Sequence, residues 1–186
     1  MLCKKCESTM TKEQFYEKYD IDPDEMGWLG SGQFGDAYAV EDNRVLKITH
    51  SAKEYEIAKK LIGHKYTNIV DYYAAEKVGS DYYILMEELD QPGSIEDLFS
   101  EAESVLPDGI LYADMFDRRD YEDDEYREEN GLPYVSEETM DFIDELCDVV
   151  SDYRKLGIAV GDIHAGNLGR SQDGTLKAFD IFDRSA

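Results

Sequence analysis

Two hydrophobic periods occupy different parts of this chain, and their segregation limits the folds open to it. Short apolar-rich runs bounded by turn signals fill the first half. "DAYAV" and "RVLKI" flank "EDN", and "NIVDYYAAEKV" and "DYYILMEEL" flank "GS". Such runs read as strands joined in hairpins. One helical pattern interrupts them: "SAKEYEIAKKLIG" has an N-cap at Ser51, an apolar face of Ala58, Leu61 and Ile62, and a stop at Gly63. The second half is mainly helical. "QPGSIEDLF" breaks the last strand and opens a helix. "SEETMDFIDELCDVVSDYRKLG" is amphipathic, capped by Ser136, faced by Ile143, Leu146, Cys147, Val150 and Tyr153, and ended by Gly157. "LGRSQDGTLKAFDIFD" closes with two short strands around "DG". Strands first, helices second, is the order of an α+β arrangement in two lobes.

At 186 residues the chain has the length of one domain or two small lobes, and 42% hydrophobic content with 14 Tyr and 7 Phe marks it as a folding chain. Its 43 acidic residues against 19 basic ones give a net charge of -24. Direct nucleic-acid binding is excluded on that balance, because phosphate contacts need Lys and Arg. An anionic membrane surface is excluded for the same reason. No apolar run is long enough to span a bilayer, and the N-terminus lacks the apolar segment of a signal peptide, so the expected location is cytoplasmic. A basic protein partner, or mimicry of a nucleic acid, stays open.

Residues 1–25 read as a polar, charged N-terminal arm, 26–90 as one lobe, and 91–186 as a second, reduced lobe with an acidic insertion at 100–135. Nine acids and three bases lie between 114 and 130, which reads as a solvated face or mobile loop. Tyr112, Phe116, Tyr121, Tyr126 and Tyr134 suggest that part of it docks. Cys3 and Cys6 form half of a zinc site, and Cys147 sits on an apolar helix face. No nearby Cys/His pair completes a set, and two exposed thiols are the simpler expectation.

Two clusters carry chemistry. Gly30, Gly32 and Gly35 make G-x-G-x-x-G within "GSGQFGDAY". A dinucleotide fold needs a helix after the glycines, and here strand-like residues follow. A glycine-rich hairpin over phosphates, or an ordinary hairpin turn, both remain. Lys47, between Leu46 and Ile48, should project from the opposite face to theirs, where it could reach phosphates. Glu54 in the following helix shares a face with Ala58 and Leu61 and is the acid to hold it, with Glu56 the alternative. The second cluster is "VGDIHAGN", with Asp162, His164 and Asn167 in a glycine-punctuated loop, followed by Asp180 in "KAFDIFD". Asp180 and Asn167 offer hard oxygen ligands suited to Mg²⁺.

Taken in order, these motifs resemble those of the protein-kinase superfamily over about residues 26–183. "GSGQFGDAY", including Gly30, Ser31, Gly32 and Gly35, looks like its glycine-rich loop, Lys47 like its third-strand lysine and Glu54 like its first-helix glutamate. "DYYILMEELDQPGSIEDLF" looks like its fifth strand, hinge and next helix. The resemblance implies Met86 as gatekeeper and the backbone of Glu87 to Leu89 against adenine. "VGDIHAGN" fits D-x-x-x-x-N, with Asp162 as catalytic acid-base and Asn167 and Asp180 as metal ligands. The implied fold is two-lobed and kinase-like, with a small antiparallel sheet, one helix and a reduced helical second lobe.

Departures are equally visible. Val160 and Gly161 precede Asp162, so the usual His-Arg pair is missing. The "GD-x-H-x-x-N" form is nearer to aminoglycoside phosphotransferases and related small-molecule kinases. Ile181 and Phe182, not Phe-Gly, follow Asp180, and Lys47 and Glu54 are unusually close in sequence. The chain stops six residues after Asp180, the pattern of a C-terminally truncated form. The resemblance implies an ATP/Mg²⁺-dependent phosphotransferase acting on a hydroxyl of a protein or small molecule, with homo-oligomerisation open. The competing expectation is an acidic binding protein on a kinase-like scaffold that covers a basic partner surface or mimics nucleic acid.

Overall fold

The computed structural model describes residues 10–106 and 117–182. The fold is α+β, with a five-stranded antiparallel sheet followed by a mainly helical region, as the segregated periods imply. It divides into two compact units: Met1–Lys65 with Asp71–Glu88, and Tyr66–Val70 with Leu89–Ala186.

The first unit is the sheet with a helix on each face. Strands β1 (Gly27–Gly32), β2 (Gly35–Val40), β3 (Arg44–Thr49), β4 (Tyr72–Val78) and β5 (Asp81–Glu87) take the order β1-β2-β3-β5-β4. Helix α1 (Lys12–Tyr19) begins in a capping box between Thr11 and Gln14. The segment read as an arm therefore adds to the core. Phe15 is fully buried with Ile21, Val40, Leu46, Ala74, Val78, Tyr83 and Leu85, and Ile48 packs against the same cluster. Only one aromatic residue of α1 is fully inside, which is why its polar composition hides the docking.

Helix α2 (Ala52–Leu61) starts at Ser51, whose hydroxyl accepts the Glu54 N–H, and ends just before Gly63 at φ +71°. Its buried Ile57, Ala58 and Leu61 pack toward β4 and β5. Period-2 alternation assigns the rest. Leu46 and Ile48 belong to the α1 cluster, so Lys47 between them projects to the α2 side.

The second unit is built on α3 (Ser94–Val105) and α6 (Glu137–Lys155). The two helices pack together through apolar faces that include Ile95, Phe99 and Ala102 on α3 and Phe142, Ile143, Leu146 and Val150 on α6. Ser136 caps α6 by accepting the Thr139 N–H, and Gly157 at φ +68° follows its end. A two-stranded ribbon, β6 (Leu168–Arg170) and β7 (Leu176–Ala178), follows. Residues 68–70 extend it: Asn68 and Val70 exchange backbone bonds with Ala178 at 3.1 Å each.

Within the acidic stretch the described residues form α4 (Arg118–Glu122) and α5 (Asp124–Asn130) rather than an irregular loop. Asp117 and Asp123 cap them. Tyr121 docks, 8% exposed, with its hydroxyl donating to the Val105 carbonyl at 3.2 Å, while Tyr126 and Tyr134 stay exposed. Tyr112 and Phe116 lie outside the described residues. No described helix is long and apolar enough to cross a membrane.

Candidate functional site

The glycine-rich segment is a strand hairpin, not a turn leading into one. Gly27–Gly32 is β1, and the connection to β2 is the pair Gln33–Phe34 between partners Gly32 and Gly35. Its tip is tied down: the Phe34 carbonyl accepts from the Thr49 hydroxyl at 3.0 Å and the His50 N–H at 2.9 Å. The register slips between Trp28 and Gly30, leaving Trp28 and Leu29 exposed at the sheet edge.

The three glycines have different reasons to be glycine. A β-carbon on Gly35 would stand 1.9 Å from the Ile48 carbonyl oxygen, so the close approach of the paired strand β3 forbids any side chain there. A β-carbon on Gly30 would meet nothing within 4 Å, and one on Gly32 only the Gly35 carbonyl at 3.9 Å. Packing does not require glycine at 30 or 32, and their bare backbone is what a phosphate would need to approach. Ser31, between them, is exposed and pairs in register with Asp36.

Lys47 and Glu54 meet. The Lys47 Nζ lies 3.1 Å from Glu54 Oε2, with side chains 16% and 1% exposed. Seven positions suffice because α2 starts almost at once after β3, and its first turn returns Glu54 to the sheet face that Lys47 occupies. Glu56, the other candidate, does not take this place. Met86 is buried on β5 between Val45 and Tyr72 in register. The Glu87 N–H donates to the Asp71 carbonyl and the Glu88 N–H to that of Asn43, each at 2.9 Å. Leu89, half-buried, belongs to the second unit.

In the second unit, backbone hydrogen bonds gather Asp162, Asn167 and Asp180. The Phe179 N–H donates to the Asn167 carbonyl at 3.0 Å, and the Ile181 carbonyl accepts from Gly161 at 2.9 Å and Asp162 at 3.4 Å. Asp180 is thus pinned on both sides to the loop that carries the other two. Asn167 is buried in a short 3₁₀ turn, Ala165–Asn167, and its Nδ2 donates to the Asp162 carbonyl at 2.9 Å. That bond turns its amide oxygen away from Asp162 as the remaining acceptor. His164 Nε2 stands 3.9 Å from Asp162 Oδ1, and both side chains are about half exposed. A β-carbon on Gly166 would come within 3.2 Å of the His164 ring, so glycine there gives the ring its room.

Asp180 is 7% exposed and has φ +55°. A left-handed backbone is strained for most side chains, though Asp tolerates it better than most. Such strain persists where the surroundings over-determine it, which the paired bonds at 179 and 181 do. Tyr153 on α6 lies beneath, its hydroxyl donating to the Ala178 carbonyl at 3.0 Å. Burial, and then the nearby Asp180 carboxylate, push its phenol well above the ordinary tyrosine value, so it stays a neutral donor. Nothing in the sequence marks Tyr153 as more than a helix-face residue.

Among the described residues no group of three or more His, Cys, Asp and Glu side chains forms a metal cluster. Asn167 and Asp180 supply two oxygen donors. That suits Mg²⁺, which is commonly held by one or two carboxylates with waters and phosphates completing its shell. Cys3 and Cys6 lie outside the described residues.

No family model matches the chain. No curated protein matches it by sequence. Among solved structures, the crystal structure of Rad53 1-466 in complex with AMP-PNP is similar at a TM-score of 0.49 and 14% identity, covering 87% of this chain and 37% of that one.

Proposed function

We propose that the chain is an ATP/Mg²⁺-dependent phosphotransferase that moves the ATP γ-phosphate to a hydroxyl of a protein or small molecule. The observation that carries the reading is the Lys47–Glu54 pair, with a carboxylate 1% exposed holding an ammonium on the sheet face next to the glycine hairpin. A buried ion pair contributes little stability compared with apolar packing, so its presence asks for another reason. Orienting a phosphate-binding lysine is such a reason. In a chain of net charge -24, a nucleotide polyphosphate needs a local cation.

In this reading Lys47 contacts the phosphates as a point charge and Glu54 fixes its direction. The backbone at Gly30, Ser31, Gly32 and Gly35 covers the phosphates. Met86, Glu87 and Leu89 border the base. Asn167 and Asp180 hold Mg²⁺, which when bound would neutralise charge developing on the phosphate oxygens. Asp162, half exposed beside them, orients the acceptor hydroxyl and takes its proton. The acidic surface of α4 and α5 favours a basic protein as acceptor.

The test is direct. Purified chain with Mg²⁺ and radiolabelled ATP should label a basic test protein such as histone or a panel of hydroxylated small molecules. Thermal unfolding should shift upward with Mg²⁺ and AMP-PNP, because a ligand of the native state stabilises it. Lys47→Ala and Asp180→Ala should each remove that shift. Absence of both transfer and shift in the parent chain would overturn the reading in favour of an acidic binding protein.

A further inference from the structure

Gln91 lies two residues after Leu89, in the segment that leads into α3, and it touches both sides of the proposed metal ligand Asn167. Its Nε2 donates to the carbonyls of Gly166 and Leu168, each at 3.0 Å. A side-chain amide nitrogen has two hydrogens, one for each carbonyl. The orientation is fixed by chemistry, since the flipped amide would aim its own oxygen at two acceptors. The residues before Gln91 are secured to the same place. Asp90 and Arg170 exchange backbone bonds at 2.8 and 2.7 Å. A β-carbon on Gly169 would stand 2.6 Å from the Leu89 Cβ, so only glycine admits this approach.

We infer that Gln91 is a positioning residue: it clamps the carbonyls flanking Asn167 and so holds the Asn167 amide oxygen where it can take a divalent cation. The metal part of this inference rests on the proposed function, and the clamp itself does not. The 3₁₀ turn bearing Asn167 is three residues long and cannot hold its own shape by helical bonding alone. Gln91 is an exposed residue, so replacing it removes the clamp without opening the core.

The experiment uses the full chain with Gln91→Ala and Gln91→Glu. Glutamate preserves size but presents only acceptors to two carbonyls, and should be the more damaging. Hydrogen exchange of the ligand-free protein should show faster exchange over 164–169 in both variants, with unchanged exchange in α6. Electron paramagnetic resonance titration of Mn²⁺ in the presence of ADP should show affinity about tenfold weaker in Gln91→Ala, the scale at which groups supporting a ligand act. Unchanged exchange over 164–169 would overturn the clamp. Faster exchange with unchanged Mn²⁺ affinity would overturn its role in holding the cation. If the parent chain takes up no Mn²⁺ with ADP, the proposed function and the metal role fall together, while the exchange data still decide the clamp.

Discussion

The two units present their chemistry on different kinds of backbone. In the first, Lys47 and Glu54 stand on a regular strand and a regular helix, and the β3–α2 junction alone brings them to 3.1 Å. In the second, Asp162, Asn167 and Asp180 stand on irregular backbone, held by bonds from Phe179, Gly161 and Gln91 and by a left-handed residue. Regular elements position side chains through period and register. Irregular backbone needs a separate bond for each carbonyl and N–H it turns aside. The first region should therefore resist surface changes and fail through packing or charge. The second should lose function without losing the fold.

The largest effect expected is in the second region. If the proposed function holds, Asp162→Ala should lower phosphate transfer by about 10²–10⁴-fold, the usual worth of a general base, with the unfolding temperature little changed. Steady-state kinetics with circular-dichroism melting checks both halves. A large loss of stability would break the contrast.

The glycine hairpin gives the next effect, in stability. Gly35→Ala should cost on the order of 3–5 kcal/mol, because its β-carbon would sit 1.9 Å from the Ile48 carbonyl oxygen. Gly30→Ala, with open space around it, should stay within about 0.5 kcal/mol in urea unfolding. If the proposed function holds, Gly30→Ala weakens AMP-PNP binding all the same. Equal stability losses at the two positions would refute the close approach of β3 to Gly35.

Lys47→Ala should destabilise the first unit by roughly 2–3 kcal/mol, since it removes the ammonium facing a buried carboxylate. Glu54→Gln should cost less, because the lysine it leaves is the more exposed partner. Urea titrations of the two variants rank them, and the reverse order would contradict the burial of Glu54.

The smallest effect concerns how α1 docks. Glu76 on β4 accepts from Lys18 Nζ at 2.6 Å and the Tyr19 hydroxyl at 2.9 Å. Burial pushes its carboxyl upward, but those two hydrogen bonds and the lysine charge outweigh it, and the net direction is downward. A depressed carboxylate stabilises the fold above its unfolded value and loses that contribution as pH falls through its folded value. Parent stability should fall on acidification below the ordinary glutamate range more steeply than that of Glu76→Gln. Parallel pH profiles would remove Glu76 as the link.

Much of this architecture is legible residue by residue. The caps at Ser51 and Ser136 and the glycine stops at 63 and 157 rest on local backbone chemistry, which needs no tertiary information. The face chosen by Lys47 follows from strand alternation. The glycine-rich segment is not legible in that way. Six residues with three glycines carry little strand propensity, and only pairing with β2 makes them β1. The burial of Phe15 is hidden for a similar reason, because one aromatic in a polar helix sets no period.

Sequence alone determined the strands that follow the glycine-rich segment, the helices α2, α3 and α6, the caps and glycine stops of α2 and α6, the acidic composition and the identity of the chemically able side chains, all of which depend on near neighbours or on composition. Tertiary structure decided the 3.1 Å approach of Lys47 to Glu54, the acid that the helix face had already favoured over Glu56. It also decided that Asp180 is left-handed and anchored on both sides, and that Gln91 grips the carbonyls around Asn167. Each of those depends on hydrogen bonds or close approaches between segments distant in the chain or set by its three-dimensional path, and no local pattern encodes which acceptor a donor will find.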